Sequence, residues 1–329
     1  MDKDRIVADL NKALDKKIAF VGDKEDEDVK RVATGIIPLD FALGGGIPRG
    51  RIIDFVGKES SGKSSLAFTI IAEFQKQDIP CAVVDAEYSY LASHARTLGV
   101  NTDDLIVIQP DCFEEGAEAI EHLANNGVGL ILLDSVSAML PRSEGEAEHG
   151  KAPMAIQARL MSQMMRKLVG TFAKNECTLI CVNQLRVNMM SHNPYDQFTS
   201  TGGHALKYYS SIRLKVSKKA MLVGPAKVPL GHTVGFKVLK NKVAKPHGAC
   251  DVRYFLDTGF EKEGDLIAML IERGYLELRG AWVKATEKAP EGLFLADFKV
   301  QGREKAKDYL VENDLVEDVI SLIFPQKTQ

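Results

Sequence analysis

The sequence predicts an α/β protein with a mostly parallel central sheet, an N-terminal helix and a small C-terminal α/β domain. Three observations predict it. From residue 51, short apolar runs alternate with helical stretches: RIIDFVG, PCAVVDAE, DLIVIQP, GLILLDS and TLICVNQ. Near-continuous Val/Ile/Leu runs suit parallel strands buried on both faces by the helices that connect them. A glycine-rich loop, GKESSGKSS at 57–65, follows the first run and precedes a helix-like stretch. Beyond residue 208 the pattern turns to hairpins: SIRLKVSK, TVGFKVLKNKV and DVRYFLD.

The elements follow in order. Residues 2–17 place Ile6, Val7, Leu10 and Leu14 at helical spacing, which gives one apolar stripe. The charged stretch GDKEDEDVKR after it reads as a linker, so residues 1–33 are a helix on a tether. That helix either folds back on its own core or packs on a neighbouring subunit. Residues 34–262 form the core. Residues 263–329 form the small domain, with a helix at Leu266–Arg273, extended pieces at Tyr275–Leu278 and Trp282–Lys284, and a helix-like stretch from Lys305 to Phe324. No internal repeat is visible.

The 329 residues, 45% of them hydrophobic, suffice for one large core and a smaller appendage. The net charge of −3 points to no bulk attraction for nucleic acid, but the charge is uneven. Residues 151–219 carry 11 Lys/Arg against Glu176 and Asp196, a local +9, which leaves −12 for the rest. A local basic face binds phosphate backbones even on an acidic protein. Cys81, Cys112, Cys177, Cys181 and Cys250 form no C-x-x-C pair and are odd in number, so they read as reduced thiols in a cytoplasmic protein. The N-terminus lacks the apolar core of a signal peptide, and Leu130–Leu133 is too short to span a bilayer, so no membrane role is expected.

The loop carries the chemistry. Gly57, Lys58, Glu59, Ser60, Ser61, Gly62, Lys63 and Ser64 fit G-x-x-x-x-G-K-[ST], and Ser65 continues into the helix. Glycines let consecutive N–H groups curl around an anion, and the helix N-terminus adds positive potential. Lys63 is expected on the β/γ-phosphates and Ser64 on Mg²⁺. Asp134, ending the run Leu130–Leu133, is expected to hold the Mg²⁺ shell through water. Glu87 is the candidate to orient the attacking water, with Asp85 as its rival. Gln184, ending Ile180–Asn183, is placed to sense the γ-phosphate through its amide. Three strands thus end in polar residues at one sheet edge, where ligands of such folds bind.

Longer stretches carry a resemblance. TGIIPLDFALGGGIPRGRIIDFVGKESSGKSSLAF, VDAEYSYLASHARTLGV, EGEAEHGKAPMAIQARLMSQMMRKL, CVNQLRV and TSTGGHALKYYSSIRL resemble bacterial RecA recombinases from about Thr34 to Lys245. The resemblance implies a RecA-type P-loop ATPase core. It implies helical filaments on single-stranded DNA with ATP bound between subunits, and pairing of that strand with homologous double-stranded DNA. Glu87 then matches the catalytic glutamate and Gln184 the γ-phosphate sensor. Lys240 and Lys242 match lysines that reach the neighbour's ATP, although on pattern alone they read as a solvated charge run. Two DNA-binding loops are implied. One, at about 141–156, contains Met154 as a wedge between nucleotides and leads into a helix with Arg159, Ser162 and Arg166. The other, at about 186–204, contains Arg186, Met189, Met190, Gly202, Gly203 and His204, with Met189 or Met190 as the second wedge. Met161, Met164 and Met165 read as core packing instead. Exposed Met and Gly suit backbone tracking and stacking, so homology must come from base pairing.

The sequence departs from the family in four places. Lys58 replaces a usual Pro. His94 stands where the adenine-stacking Tyr is expected, and Leu91 where an Asp reads the adenine amino group. The end, FPQKTQ, lacks an acidic tail, which implies readier binding to duplex DNA. Two alternatives share the ATPase core: a DNA motor such as a helicase, and an ATP-regulated scaffold coating single strands. The long first-loop motif argues against a motor, and Glu87 argues for turnover over mere coating.

Overall fold

In the computed structural model of the protein, the described residues are 2–16, 18–19, 29–145, 154–187, 198–200, 205–225, 227–262, 266–290, 292–294 and 298–323. The chain divides into two units, residues 1–30 and 31–329. The first holds helix α1 (Lys3–Ala13), capped by the Asp2 carboxylate, which accepts from the backbone N–H of Arg5. The apolar stripe expected from the spacing lies along it.

The second unit opens with β1 (Arg31–Val32), α2 (Ile37–Leu43) and β2 (Ile47–Pro48). β1 pairs antiparallel with β2, so Arg31 already belongs to this unit. The alternating region follows: β3 (Ile52–Gly57), α3 (Lys63–Gln75), β4 (Cys81–Asp85), α4 (Ala92–Thr97), β5 (Leu105–Ile108), α5 (Phe113–Asn125) and β6 (Leu130–Asp134). Next come α6 (Arg142–Gly145), α7 (Met154–Lys174), β7 (Thr178–Val187), β8 (Phe198–Ser200) and α8 (Ala205–Tyr209). The hairpin region is β9 (Ile212–Val223), β10 (Pro229–Asn241), β11 (Ala249–Phe255) and β12 (Gly259–Phe260). The chain continues through α9 (Leu266–Glu272), β13 (Leu276–Arg279), β14 (Trp282–Ala285), β15 (Lys299–Gln301), α10 (Arg303–Glu312) and α11 (Val316–Ile323).

The main sheet runs β12-β11-β10-β9-β3-β7-β6-β4-β5, with β8 paired to β7. Its β9-β3-β7-β6-β4-β5 part is parallel, and the β9-to-β12 part is antiparallel. The α/β fold with a mostly parallel centre is therefore as the apolar runs predict. β3, β4 and β6 are buried at every position, because separate apolar clusters cover the two sheet faces. α3 packs on one face. α5, α7 and α8 pack on the other, where Met161, Met164 and Met165 are buried as expected.

A three-stranded sheet, β13-β14-β15, packs with α9, α10 and α11 around a third apolar cluster. The long helix expected from Lys305 to Phe324 is broken in two. Asn313 ends α10, and Asp314 takes a left-handed backbone at φ +55° before α11 begins. Asn and Asp tolerate that conformation and compete with helical hydrogen bonds, so the pair stops the first helix.

The expected second loop also differs at its base. Arg186 and Val187 belong to β7 and pair with Thr199 and Phe198 of β8, forming a short antiparallel ribbon. Met189, Met190, Gly202, Gly203 and His204 lie outside the described residues, as do residues 146–153 of the first loop.

Candidate nucleotide site

The site sits at the carboxyl edge of the parallel strands. β3 ends at Gly57, opposite Gln184 of β7. A Cβ on Gly57 would lie 2.3 Å from the Val216 carbonyl oxygen, so only glycine lets the loop leave this crowded strand end. Gly62 caps α3 at φ +95°, a left-handed conformation that turns the loop into the helix. The N-terminus of α3 therefore points its free N–H groups at the loop's concavity.

Lys63 is 6% exposed, and its ammonium donates to the carbonyls of Lys58 at 2.8 Å and Gly57 at 3.4 Å. Burial lowers the Lys63 pKa, while Asp134, Glu87 and Glu59 pull it the other way. The Ser61 hydroxyl is buried and has no hydrogen-bond partner. A buried orphan donor beside a buried cation, under a helix N-terminus, fits a phosphate. Glu59 and Ser60 are exposed on the loop's outer turn.

Ser64 lies close enough to Asp134 to act on its carboxyl. Burial pushes the Asp134 carboxyl up to about 6, with Glu87 and Asp85 adding to the rise and Ser64 and Lys63 opposing it. A cation there would relieve that carboxylate's isolation. The pair supplies a hydroxyl and a carboxylate oxygen, the hard donors Mg²⁺ takes. Among the described residues no group of three or more His/Cys/Asp/Glu could hold a metal ion by itself.

Glu87 lies just past β4 and reaches over β6 to β7. Its Oε1 accepts from the Ser135 hydroxyl and from Gln184 Nε2, the latter at 3.4 Å. Ser137 extends this chain to Ser135 at 2.7 Å. Asp85 is committed elsewhere: its carboxylate accepts from Ser89 N, Tyr90 N and Gln109 Nε2 and shapes the turn after β4. Sequence reasoning missed Ser135, although its position directly after Asp134 is a usable signal.

His94, on α4, meets the loop's far end. Its Nε2 lies 3.3 Å from the Ser65 hydroxyl, and its ring meets Phe68 edge-on. Leu91, before α4, is 65% exposed.

Lys242 is exposed, as pattern alone suggests, whereas Lys240 is partly buried, and both are hydrogen bonded. The Lys240 ammonium donates to the carbonyls of Lys207 and Tyr208 at the C-terminal end of α8, and Lys242 donates to Tyr208. Lys240 is half-buried, and burial with Lys242 and Arg213 pulls its pKa down to about 8. Within this chain neither is hydrogen bonded to the loop at 57–65.

On α7, Arg159 and Arg166 are exposed and Ser162 half-buried; their spacing of three and four residues puts them on one face, opposite the buried methionines. Met154 is the first residue of that helix. No helix among the described residues is long and apolar enough to cross a membrane.

The comparisons with known proteins agree with this architecture. The family described as RecA N-terminal domain matches residues 4–261. Protein RecA of Campylobacter jejuni subsp. doylei is 42% identical over 317 residues, covering 94% of this chain and 90% of the relative. Protein RecA of Geobacter sulfurreducens is 42% identical over 302 residues, covering 90% and 86%. Protein RecA of Rickettsia prowazekii is 37% identical over 337 residues, covering 100% and 95%. With matches of this extent across the strands that build the site, the chain belongs to the RecA family of recombinases.

Proposed function

We propose that the chain hydrolyses ATP at the 57–65 loop and uses the γ-phosphate to set its grip on DNA. The observation that carries this reading is the bond from Gln184 to Glu87, made two residues before Arg186. Glu87 orients the attacking water, and Lys63 neutralises charge on the transferred phosphoryl group. Ser64 and Asp134 would hold Mg²⁺, which supplies further charge neutralisation when bound. Gln184 chooses between Glu87 and a γ-phosphate oxygen. Because β7 runs unbroken from Gln184 to Val187, a movement there passes directly to the β7–β8 ribbon at the base of the second loop. That is an order–disorder switch of the nucleotide-driven kind.

DNA is gripped by Arg159, Ser162 and Arg166 on α7, by Arg186, and by the loop residues Met154, Met189, Met190, Gly202, Gly203 and His204. The bound strand lies in a filament of copies, ATP lies at each subunit contact, and Lys240 and Lys242 meet the neighbour's phosphates. The setting is cytoplasmic. The motor and scaffold readings are not favoured, because the match to recombinases spans most of the chain. The test is fluorescence-reported strand exchange between an oligonucleotide and a homologous duplex with ATP and Mg²⁺, against a heterologous duplex. Exchange that needs both ATP and homology supports the reading; hydrolysis without exchange overturns it.

A further inference from the structure

Asp54 interrupts the apolar run of β3 and is fully buried. An acid in the centre of a sheet needs a reason, because an uncompensated buried charge is costly. Its neighbours on three other strands supply one. Arg213 of β9, in register with Asp54, donates from Nε to Asp54 Oδ2 at 2.9 Å. Asn183 of β7, buried one residue before Gln184, lies close enough to the same carboxyl to help hold its pKa down. Lys240 of β10 is in register with Arg213 and close enough to Asp54 to be attracted by its charge. A polar ladder thus crosses β7, β3, β9 and β10 and ends at the ammonium that caps α8.

The charges facing Lys240 are Lys242 beside it, Arg213 from β9 and Asp54 from β3; α8 contributes only carbonyls. Two of those three are cations. We propose that Asp54 is a positioning residue for hydrolysis, which neutralises Arg213 beside Lys240 and so keeps that ammonium charged and in place for a phosphate of the adjoining subunit. The inference rests on Lys240 being the cation that meets that phosphate. Asp54 is fully buried in the sheet. It acts through Arg213, and through Asn183 it ties the same charge balance to the strand that carries Gln184.

The test is the pH profile of DNA-stimulated ATP hydrolysis for full-length Asp54→Asn, with nucleotide and single-stranded DNA binding measured alongside. Arg213 is then uncompensated and Lys240 loses its proton at lower pH. If its titration moves down by about one pH unit, the protonated fraction on the alkaline side falls about tenfold. Accordingly kcat should fall about tenfold near pH 8.5 and by only about 1.3-fold near pH 6.5, with binding of both ligands retained. The Asp54→Leu/Arg213→Met double variant removes both charges without orphaning either, and should recover kcat near pH 8.5 to within about threefold of the parent. If Asp54→Asn does not fold, the double variant alone carries the test. An alkaline limb in Asp54→Asn that superposes on the parent's overturns the proposal, and so does a double variant as impaired as a tenfold loss. Lys240→Ala separates the two levels. Retained stimulation in that variant sinks the role of Lys240, whereas lost stimulation with an unmoved Asp54→Asn profile sinks only the role of Asp54.

Discussion

The Ser65 hydroxyl lies 3.3 Å from His94 Nε2, so the residue that ends the phosphate loop is bonded to the ring that follows it on α4. In the proposed reading, Lys63 and Asp134 lie towards the γ-phosphate and Ser65 towards the base. In that reading His94 would offer the base a face, with one ring nitrogen already engaged. Leu91 has no group that can pair with a base edge. A site without such groups rejects a related ligand only weakly, whereas one built to hydrogen bond rejects it strongly. Hydrolysis of GTP should therefore proceed with kcat/KM within about tenfold of ATP, and Leu91→Asp should widen the gap in favour of ATP. Steady-state kinetics with the two nucleotides checks both; a parent preference above a hundredfold would refute the idea.

Glu87 and Gln184 should separate binding from turnover. Glu87→Gln keeps the size and the hydrogen bonds of the side chain but removes its basicity. Its kcat should fall by about 10² or more, with a fluorescent ATP analogue still bound as in the parent. Gln184→Ala should also keep nucleotide binding, yet lose the stimulation by single-stranded DNA. Stimulation that survives Gln184→Ala would break the proposed link between nucleotide and second loop.

The strand runs and the phosphate loop were legible because each follows from local chemistry. Strands buried on both faces must be apolar throughout, and a loop that wraps an anion must be rich in glycine. What escaped notice depends on pairing across the sheet. Asp54 reads as a defect in an apolar run until Arg213, 159 positions later, is brought opposite it. Lys240 reads as solvated because nothing near it in sequence announces that the carbonyls of α8 will lie above it. The break at Asn313–Asp314 was local and could have been read, since both residues favour helix ends over helix interiors. The DNA-contacting residues of the second loop rest on resemblance alone.

Asp40 should make the fold lose stability as pH rises. It is buried, and burial pushes its carboxyl up to about 7, with Glu73 adding and the hydrogen bonds from Thr34 opposing. A raised carboxyl pKa means the folded state binds the proton more tightly than the unfolded state. The contribution is thus full below about pH 4 and is lost as pH climbs to about 7. Asp40→Asn stays neutral, and its amide oxygen can still accept from Thr34 N. The variant should be more stable than the parent by on the order of 2 kcal/mol at pH 8, and the gap should close towards pH 5. Asp54 and Asp134 titrate in the same sense but are common to both proteins, so they cancel from the difference. Thermal unfolding across that range checks it, and a gap independent of pH would count against the buried carboxylate.

Glu261 should fasten the C-terminal region to the main sheet. Its carboxylate accepts from Arg253 of β11 at 2.7 and 2.8 Å and from Lys307 of α10 at 2.8 Å. Burial raises its pKa, but the bonds from Arg253 and Lys307 outweigh that and hold the group below the usual range. A carboxylate shared by two cations is worth more than a single exposed pair, because the second cation costs it no further ordering. Glu261→Gln removes the charge and leaves two partly buried cations facing each other. The expected loss is about 1–3 kcal/mol, concentrated at the contact between α10 and β11. A fold that opens there frees α10 before the main sheet yields. Limited proteolysis should cut Glu261→Gln within α10 at protease levels that leave the parent intact, while ATP binding persists. Equal resistance of the two proteins would show that the apolar cluster around Leu270 and Leu310 holds the region without the carboxylate.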